Sequence, residues 1–303
     1  MSTIYNEASE QLYTILDFLR WGSSQFLREN IYHGHGYDNA WDEALALLSH
    51  ALGLDESIDA SLLPARLTMT EKERVLALYR QRIEEKVPVP YLTEKAYFCG
   101  LPFIIDERVL IPRSPIAELI EQRFSPWVDS SAVSDILDLC TGSACIAIAC
   151  AYAFPEASVD AVDISPEALE VAQKNVALHE CQEQVSLLKS DVFDGVSTRK
   201  YDIIVSNPPY VSQQEIDSLP EEYAHEPELA LLAEQQGLAI VDKILAQAAA
   251  HLNDNGLLVV EVGNSDLPLI EKYPEVPFVW LEFERGGSGV FALSKEQIEQ
   301  HFK

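Results

Sequence analysis

Beyond residue 130 the chain alternates short, β-rich apolar runs with stretches of helical period, and this alternation leaves few folds open. Residues 135–139, 158–162, 185–188 and 202–206 are such runs. Segments of the length a crossover needs, 144–154 and 166–179, separate the first three. Parallel strands require crossovers, so repeated βα units predict a mostly parallel sheet with helices on both faces. A longer helix over 237–252 leads to a strand at 257–262, and 278–283 with 289–293 close the chain as a glycine-linked hairpin. The expected class is α/β, a seven-stranded sheet with an antiparallel end.

Residues 1–88 read instead as a small helical domain. Leu12, Ile15, Leu16 and Leu19 recur at 3.6-residue spacing in one helix between Glu7 and Arg28. A second helix over 39–52 turns Trp41, Leu45, Leu48 and Leu52 inward, and Gly53 ends it. A third starts at Thr70, whose hydroxyl pairs with Glu73 in a capping box before Val75, Leu78, Tyr79 and Ile83. His33 and His35 sit in a glycine-rich loop and are expected to face solvent. No catalytic constellation lies here, so this domain is assigned to substrate recognition. Pro88 and Pro90 mark its end. A β-hairpin linker over 89–112, turning at Cys99-Gly100-Leu101-Pro102, leads to a catalytic domain over 113–303 that opens with a helix at Pro115.

Composition excludes several roles. At 303 residues, with 48% hydrophobic and 23% charged residues, the chain can bury substantial cores. No apolar run reaches the roughly 18 residues a membrane span needs. The first residues lack the basic start and apolar stretch of a signal peptide, so a cytoplasmic location is expected. Five cysteines form no CxxC pair and no ligand cluster with histidine, and no metal is expected. The net charge of −28 opposes binding to a phosphate backbone and favours a basic partner.

The chemistry-bearing residues fall at strand ends. Asp138-Leu139-Cys140-Thr141-Gly142-Ser143-Ala144 joins the first strand of the sheet to its first helix, a small-residue turn that lets backbone N–H groups approach a cofactor. Asp163, followed by Ile164, ends the second strand, where a carboxylate suits a pair of ribose hydroxyls. Asp191, with Val192 and Phe193, follows the third, placed to accept from an adenine amino group. Asn207-Pro208-Pro209-Tyr210 follows the fourth, and each proline fixes its own φ and biases the residue before it towards extended geometry. Glycine turns and strand-end aspartates are common singly. Their succession in consecutive βα loops is far more specific.

From the hairpin onwards the chain resembles a class I S-adenosylmethionine-dependent methyltransferase of Rossmann-like fold, and Asn-Pro-Pro-Tyr narrows the resemblance to enzymes acting on amino or amide nitrogen. A helical N-terminal domain, a hairpin linker and Ile111-Pro112-Arg113 resemble the HemK family of protein glutamine methyltransferases. Arg113-Ser114-Pro115-Ile116, the Asp-Leu-Cys-Thr-Gly-Ser turn and His225-Glu226-Pro227-Glu228-Leu229 are similar to its PrmB type. The resemblance implies methyl transfer from S-adenosylmethionine, leaving S-adenosylhomocysteine, to N5 of a glutamine in the basic large-subunit ribosomal protein L-3. It implies a cofactor site of Asp138, Thr141, Gly142, Ser143, Ala144, Asp163, Ile164, Asp191, Val192, Phe193 and Asn207. Asn207, Pro208 and Tyr210 are the implied catalytic residues, with Pro209, Arg113 and Glu226 joining them around the substrate.

An amide nitrogen is a poor nucleophile, because resonance draws its lone pair into the carbonyl. The site must therefore aim that lone pair at the sulfonium methyl. The Asn207 side-chain oxygen and the Pro208 carbonyl can accept the two amide N–H bonds, and Tyr210 can pack on the planar group. The expected step is one in-line displacement without a metal or a covalent enzyme intermediate. Two positions depart from the family's glycines, Cys140 and Ala144; Ala144 is expected to start its helix with φ < 0. Alternatives are a release-factor glutamine methyltransferase, a nucleic-acid adenine N6-methyltransferase, and a non-catalytic assembly module. Net acidity and the lack of a basic recognition domain oppose the second, so no direct DNA binding is expected.

Overall fold

The computed structural model describes residues 3–55, 57–196 and 198–302, which form two compact units. One unit runs to Lys95 and also takes in Pro220–His225, and the other comprises Ala96–Leu219 and the chain from Glu226 onwards.

In the first unit, helices Thr3–Gln11, Ile15–Arg28, Ala40–Leu52 and Met69–Glu84 surround a core that includes Phe18, Phe26, Leu47, Leu48, Val75 and Tyr79. The single helix expected between Glu7 and Arg28 is divided. The first part ends at Gln11, and Thr14 caps the second in a capping box with Asp17; Leu16 is exposed. Thr68 with Glu71, not Thr70 with Glu73, caps the fourth helix. Both pairs fit the S/T-x-x-E pattern, and the pattern alone does not choose between them. Gly53 ends the third helix as expected, in the left-handed conformation; Asn39 is its N-cap rather than its first residue, and Trp41 lies in its first turn and is exposed. His35 is buried rather than solvent-facing, its ring 4.6 Å from that of Tyr223. Arg82 explains why Pro220–His225 joins this unit. It is 1% exposed and donates to both carboxylate oxygens of Glu43, to Glu222 at 3.1 Å and to the Tyr32 carbonyl at 2.7 Å. A buried guanidinium needs such partners, and two buried carboxylates need the guanidinium.

The second unit opens with a hairpin, β1 (Lys95–Phe98) and β2 (Leu101–Ile104), turning at Cys99 and Gly100. Its main sheet contains β3 (Asp135–Leu139), β4 (Ser158–Asp163), β5 (Val185–Lys189), β6 (Tyr201–Ser206), β7 (Leu252–Glu261), β8 (Val279–Trp280) and β9 (Val290–Ser294). Their order is β5-β4-β3-β6-β7-β9-β8, parallel through β7 and antiparallel at β9 and β8. The α/β class and the antiparallel end agree with the sequence reading.

Register decides what each face buries. Leu137, Ile204, Leu258 and Leu293 are aligned neighbours, and they join one core with Val241, Ile244, Leu245 and Ala248 of helix Ala239–His251. One residue along, Asp138 aligns with Val205, Val259 and Ala292 and points to the opposite face. There its carboxylate accepts the Ala147 N–H, in helix Cys145–Ala153. The chain runs outward from β3 to β5 and then returns to β6 on the other side of β3. This reversal makes the carboxyl ends of β3 and β6 a topological switch point, where open α/β sheets form their ligand crevices.

Candidate active site

A crevice of about 830 Å³, counted to its open mouth, lies at that switch point. It brings together candidates from four separate loops: Thr141, Gly142 and Ser143 after β3, Asp163 and Ile164 after β4, Asn207 and Pro209 after β6, and Arg113. Pro227, Leu229 and Ala230 add a further wall; Pro227 and Leu229 belong to the His225–Leu229 motif, of which only Glu226 was assigned a site role from the sequence.

The β3 turn owes its shape to three left-handed residues. Cys140 (φ 59), Gly142 (φ 54) and Ala144 (φ 64) alternate with Thr141 and Ser143. Ala144 therefore overturns the expected φ < 0. It caps helix Cys145–Ala153 in the left-handed region, and its N–H donates to the Thr141 carbonyl at 2.8 Å. Both departures from family glycine thus fall where the backbone asks for glycine. Nothing lies within 4 Å of where a Cβ would stand on Gly142, so the turn leaves open space there.

Asp138 fastens the turn from beneath. Thr141 Oγ1 donates to its Oδ2 at 2.5 Å and the Ala147 N–H at 3.1 Å, whereas Oδ1 is buried without a partner among the described residues. Complete burial pushes its pKa up to about 7 against the pull of these hydrogen bonds. Asp163 accepts the Gly142 N–H at 2.8 Å and the Ser165 N–H at 2.9 Å, tying the β4 loop to the β3 turn. Desolvation raises its pKa too, and the backbone donors oppose that rise. Desolvation, then the Asp163 and Asp138 carboxylates, push the Cys140 thiol up, which argues against a nucleophilic thiolate.

Other candidates lie outside the crevice lining. Asp191 receives Lys243 Nζ at 2.8 Å, with both side chains partly exposed. Val192 is buried with φ 51, and Phe193 stacks on His251 with ring centroids 4.5 Å apart, so both contribute to the core. Pro208 is buried beside the lining residues Asn207 and Pro209. Among the described residues, none hydrogen-bonds the Asn207 side-chain amide. Arg113 and Glu226 meet: Arg113 Nη2 lies 2.7 Å from Glu226 Oε1, and Glu226 Oε2 accepts the Ile111 N–H at 3.1 Å. Tyr210 OH donates to Glu261 Oε1 at 2.8 Å. That contact joins the β6 loop to the end of β7, distant in sequence, and no local pattern signalled it.

Residues 124–225 match the Methyltransferase small domain family. The chain is 50% identical to a ribosomal protein uL3 glutamine methyltransferase of Xanthomonas campestris pv. campestris, over 97% of this chain and 95% of the relative. It is 44% identical to the protein of the same description from Francisella tularensis subsp. tularensis, over 98% and 97%. Among solved structures, the hMettl16 catalytic domain in complex with MAT2A 3'UTR hairpin 6 matches with a TM-score of 0.51 at 20% identity, covering 74% of this chain and 80% of that one. This last likeness is one of fold, that of class I methyltransferases.

Proposed function

This chain belongs to the family of ribosomal protein uL3 glutamine methyltransferases, and from that premise we propose that it methylates the N5 amide nitrogen of a glutamine in uL3, using S-adenosylmethionine as donor. One observation carries the reading most directly: Asn207 and Pro209 of the Asn-Pro-Pro-Tyr loop share a crevice with Gly142 and Asp163. Nitrogen-orienting groups and a cofactor-type turn therefore face one space.

The residues present fit such a donor. The open space over Gly142 admits a group against the β3 turn, and Asp163 offers a carboxylate beside it. Thr141, Ser143 and Ile164 complete this side. When bound, S-adenosylmethionine supplies an electrophilic methyl on a sulfonium centre. The Asn207 carbonyl oxygen and the Pro208 carbonyl accept the two N–H bonds of the substrate amide and so aim its lone pair. Prolines 208 and 209 hold those acceptors stiffly, which reduces the ordering left to do at the moment of reaction. As the methyl moves, positive charge gathers on the nitrogen, the same two acceptors stabilise it, and one of the two amide protons then leaves to solvent, giving the neutral methylated amide.

On this reading Asp191 serves the adenine end, where its carboxylate can accept a further donor beside Lys243, while Val192 and Phe193, buried in the core, hold the loop that carries it. Arg113 and Glu226 act as a pair that shapes the substrate wall, and the N-terminal helical unit selects the protein partner. A net charge of −28 favours the encounter with a basic ribosomal protein. On this reading the enzyme works in the cytoplasm, where its substrate is synthesised.

The deciding experiment incubates the protein with methyl-labelled S-adenosylmethionine and, separately, uL3, a release factor and DNA. Label on a glutamine of uL3 is expected. Label on the release factor alone would move the chain to another member of the wider family, and label on DNA alone would sink the reading.

A further inference from the structure

Near the Asn-Pro-Pro-Tyr loop lies a buried ionisable group with no part in the scheme above. Glu261, the last residue of β7, is 4% exposed, and desolvation raises its carboxyl above the ordinary carboxylate range. Both of its oxygens are engaged by neutral donors: Ser114 Oγ donates to Oε2 at 2.5 Å and Tyr210 OH to Oε1 at 2.8 Å. The nearby Arg113 charge works against that rise. A desolvated carboxylate held by hydroxyls is a weak source of stability, so its place has to be explained by what it holds.

It holds Tyr210, and it does not act alone. Gly263 lies so close to the tyrosine ring that a Cβ there would sit 2.5 Å from Cε2. Ser265 Oγ donates to the Tyr210 carbonyl at 3.0 Å. Residues 261, 263 and 265 thus fix the hydroxyl, the ring and the carbonyl of one side chain and its backbone. Tyr210 in turn ends the four-residue loop whose Asn207 and Pro209 line the crevice. Two prolines transmit a fixed end rigidly, because neither allows its φ to adjust.

We propose that Glu261 is a positioning residue for methyl transfer, fixing Tyr210 and thereby the angle at which Asn207 and Tyr210 meet the glutamine amide. The inference rests on the methyl-transfer reading and adds a residue to it. Ser114 is the second arm of the same clamp, since its hydroxyl holds the other oxygen of Glu261 and also accepts the Ile116 N–H.

Glu261→Gln tests this with little change of volume. Its amide has one acceptor oxygen and one donor group, so it cannot accept both hydroxyls in the present geometry. The kcat for methylation of uL3 is expected to fall roughly 10- to 100-fold, the scale of a misplaced reacting group. KM for uL3 and Kd for S-adenosylmethionine should stay within about threefold, because the change acts on the transition state and not on uniform binding. Tyr210→Phe should give a loss of similar size, and the double variant no more than the larger single loss. Full kcat in Glu261→Gln, losses that multiply in the double variant, or a loss confined to cofactor Kd would each overturn the proposal. Should Glu261→Gln fail to fold by circular dichroism, Ser114→Ala alone and with Tyr210→Phe gives the same cycle, read by the same criteria. Wild-type protein that leaves uL3 unlabelled would overturn the methyl-transfer reading itself, before any variant is compared.

Discussion

Arg113 Nη2 lies 2.7 Å from Glu226 Oε1, while the other Glu226 oxygen takes the Ile111 N–H. The Glu226 carboxylate is fully buried and the Arg113 side chain 22% exposed, so one oxygen pair closes both a desolvated charge and a desolvated backbone donor. Glu226→Ala takes the carboxylate away from both. It should destabilise the larger unit by about 3 kcal/mol, and Glu226→Gln, which keeps an acceptor for Ile111, by about half as much. Urea denaturation of the two variants measures this. Equal losses would show that the backbone contact contributes nothing.

Asp138 should leave a signature in the pH dependence of stability. Its folded pKa stands near 7, raised by burial from the ordinary 3.8. Between those values the folded protein holds a proton that the unfolded chain has released. Its contribution is therefore complete below pH 4 and is lost as pH rises to 7, at up to about 1.4 kcal/mol per pH unit. Asp138→Asn removes this proton and should flatten the slope of unfolding free energy by up to that amount across pH 4–7. Ligand-free protein, with and without the substitution, provides the comparison. An unchanged slope would assign the titration elsewhere.

Ala144 is a strained residue in a turn that function requires to be tight. A left-handed alanine costs roughly 1–2 kcal/mol in the folded state, and glycine gives back about 0.4–1 kcal/mol through the unfolded chain. Ala144→Gly should therefore raise stability by up to about 1 kcal/mol, with S-adenosylmethionine binding retained or tightened. Ala144→Val adds a β-branch to the same φ and should lose more than about 2 kcal/mol. Thermal unfolding and calorimetric titration separate the two. A destabilising glycine would show that the turn carries no strain at this position.

The strands and crossovers were legible because register and period are local: an apolar run of five with a helical segment behind it already states a βα unit. What escaped is non-local or encoded in the backbone. Glu222 joins Arg82, which lies in a different stretch of sequence, and Tyr210 meets Glu261 at the end of β7; neither pair has a spacing to read. Positive φ at Cys140, Ala144 and Val192 is carried by residues that do not advertise it, whereas Gly142 does. His35 sat among glycines, a polar context, and yet is buried against Tyr223. The crevice candidates at the ends of β3, β4 and β6 were readable since strand ends are where such sheets put their ligands. The segment around Pro227 stood out as a motif, but its place as a wall of the crevice was not readable, because it rests on contacts distant in sequence such as Arg113 with Glu226.

Asn207 provides the sharpest separation of chemistry from binding. Its side chain borders the crevice and, among the described residues, carries no internal hydrogen bond, so truncation breaks no hydrogen bond of the fold. If its oxygen accepts a substrate N–H and stabilises the charge that gathers on nitrogen, Asn207→Ala should lower kcat by roughly 10²–10³-fold, the scale of one preorganised electrostatic contact. Cofactor Kd should change little, and the melting temperature should match wild type. Asn207→Asp keeps an oxygen but places a negative charge beside the nitrogen; it tests whether an acceptor alone suffices. Labelled-methyl turnover on uL3, paired with calorimetric titration of S-adenosylmethionine, reads both quantities. Equal losses of turnover and cofactor affinity in Asn207→Ala would instead make Asn207 part of the cofactor's hold.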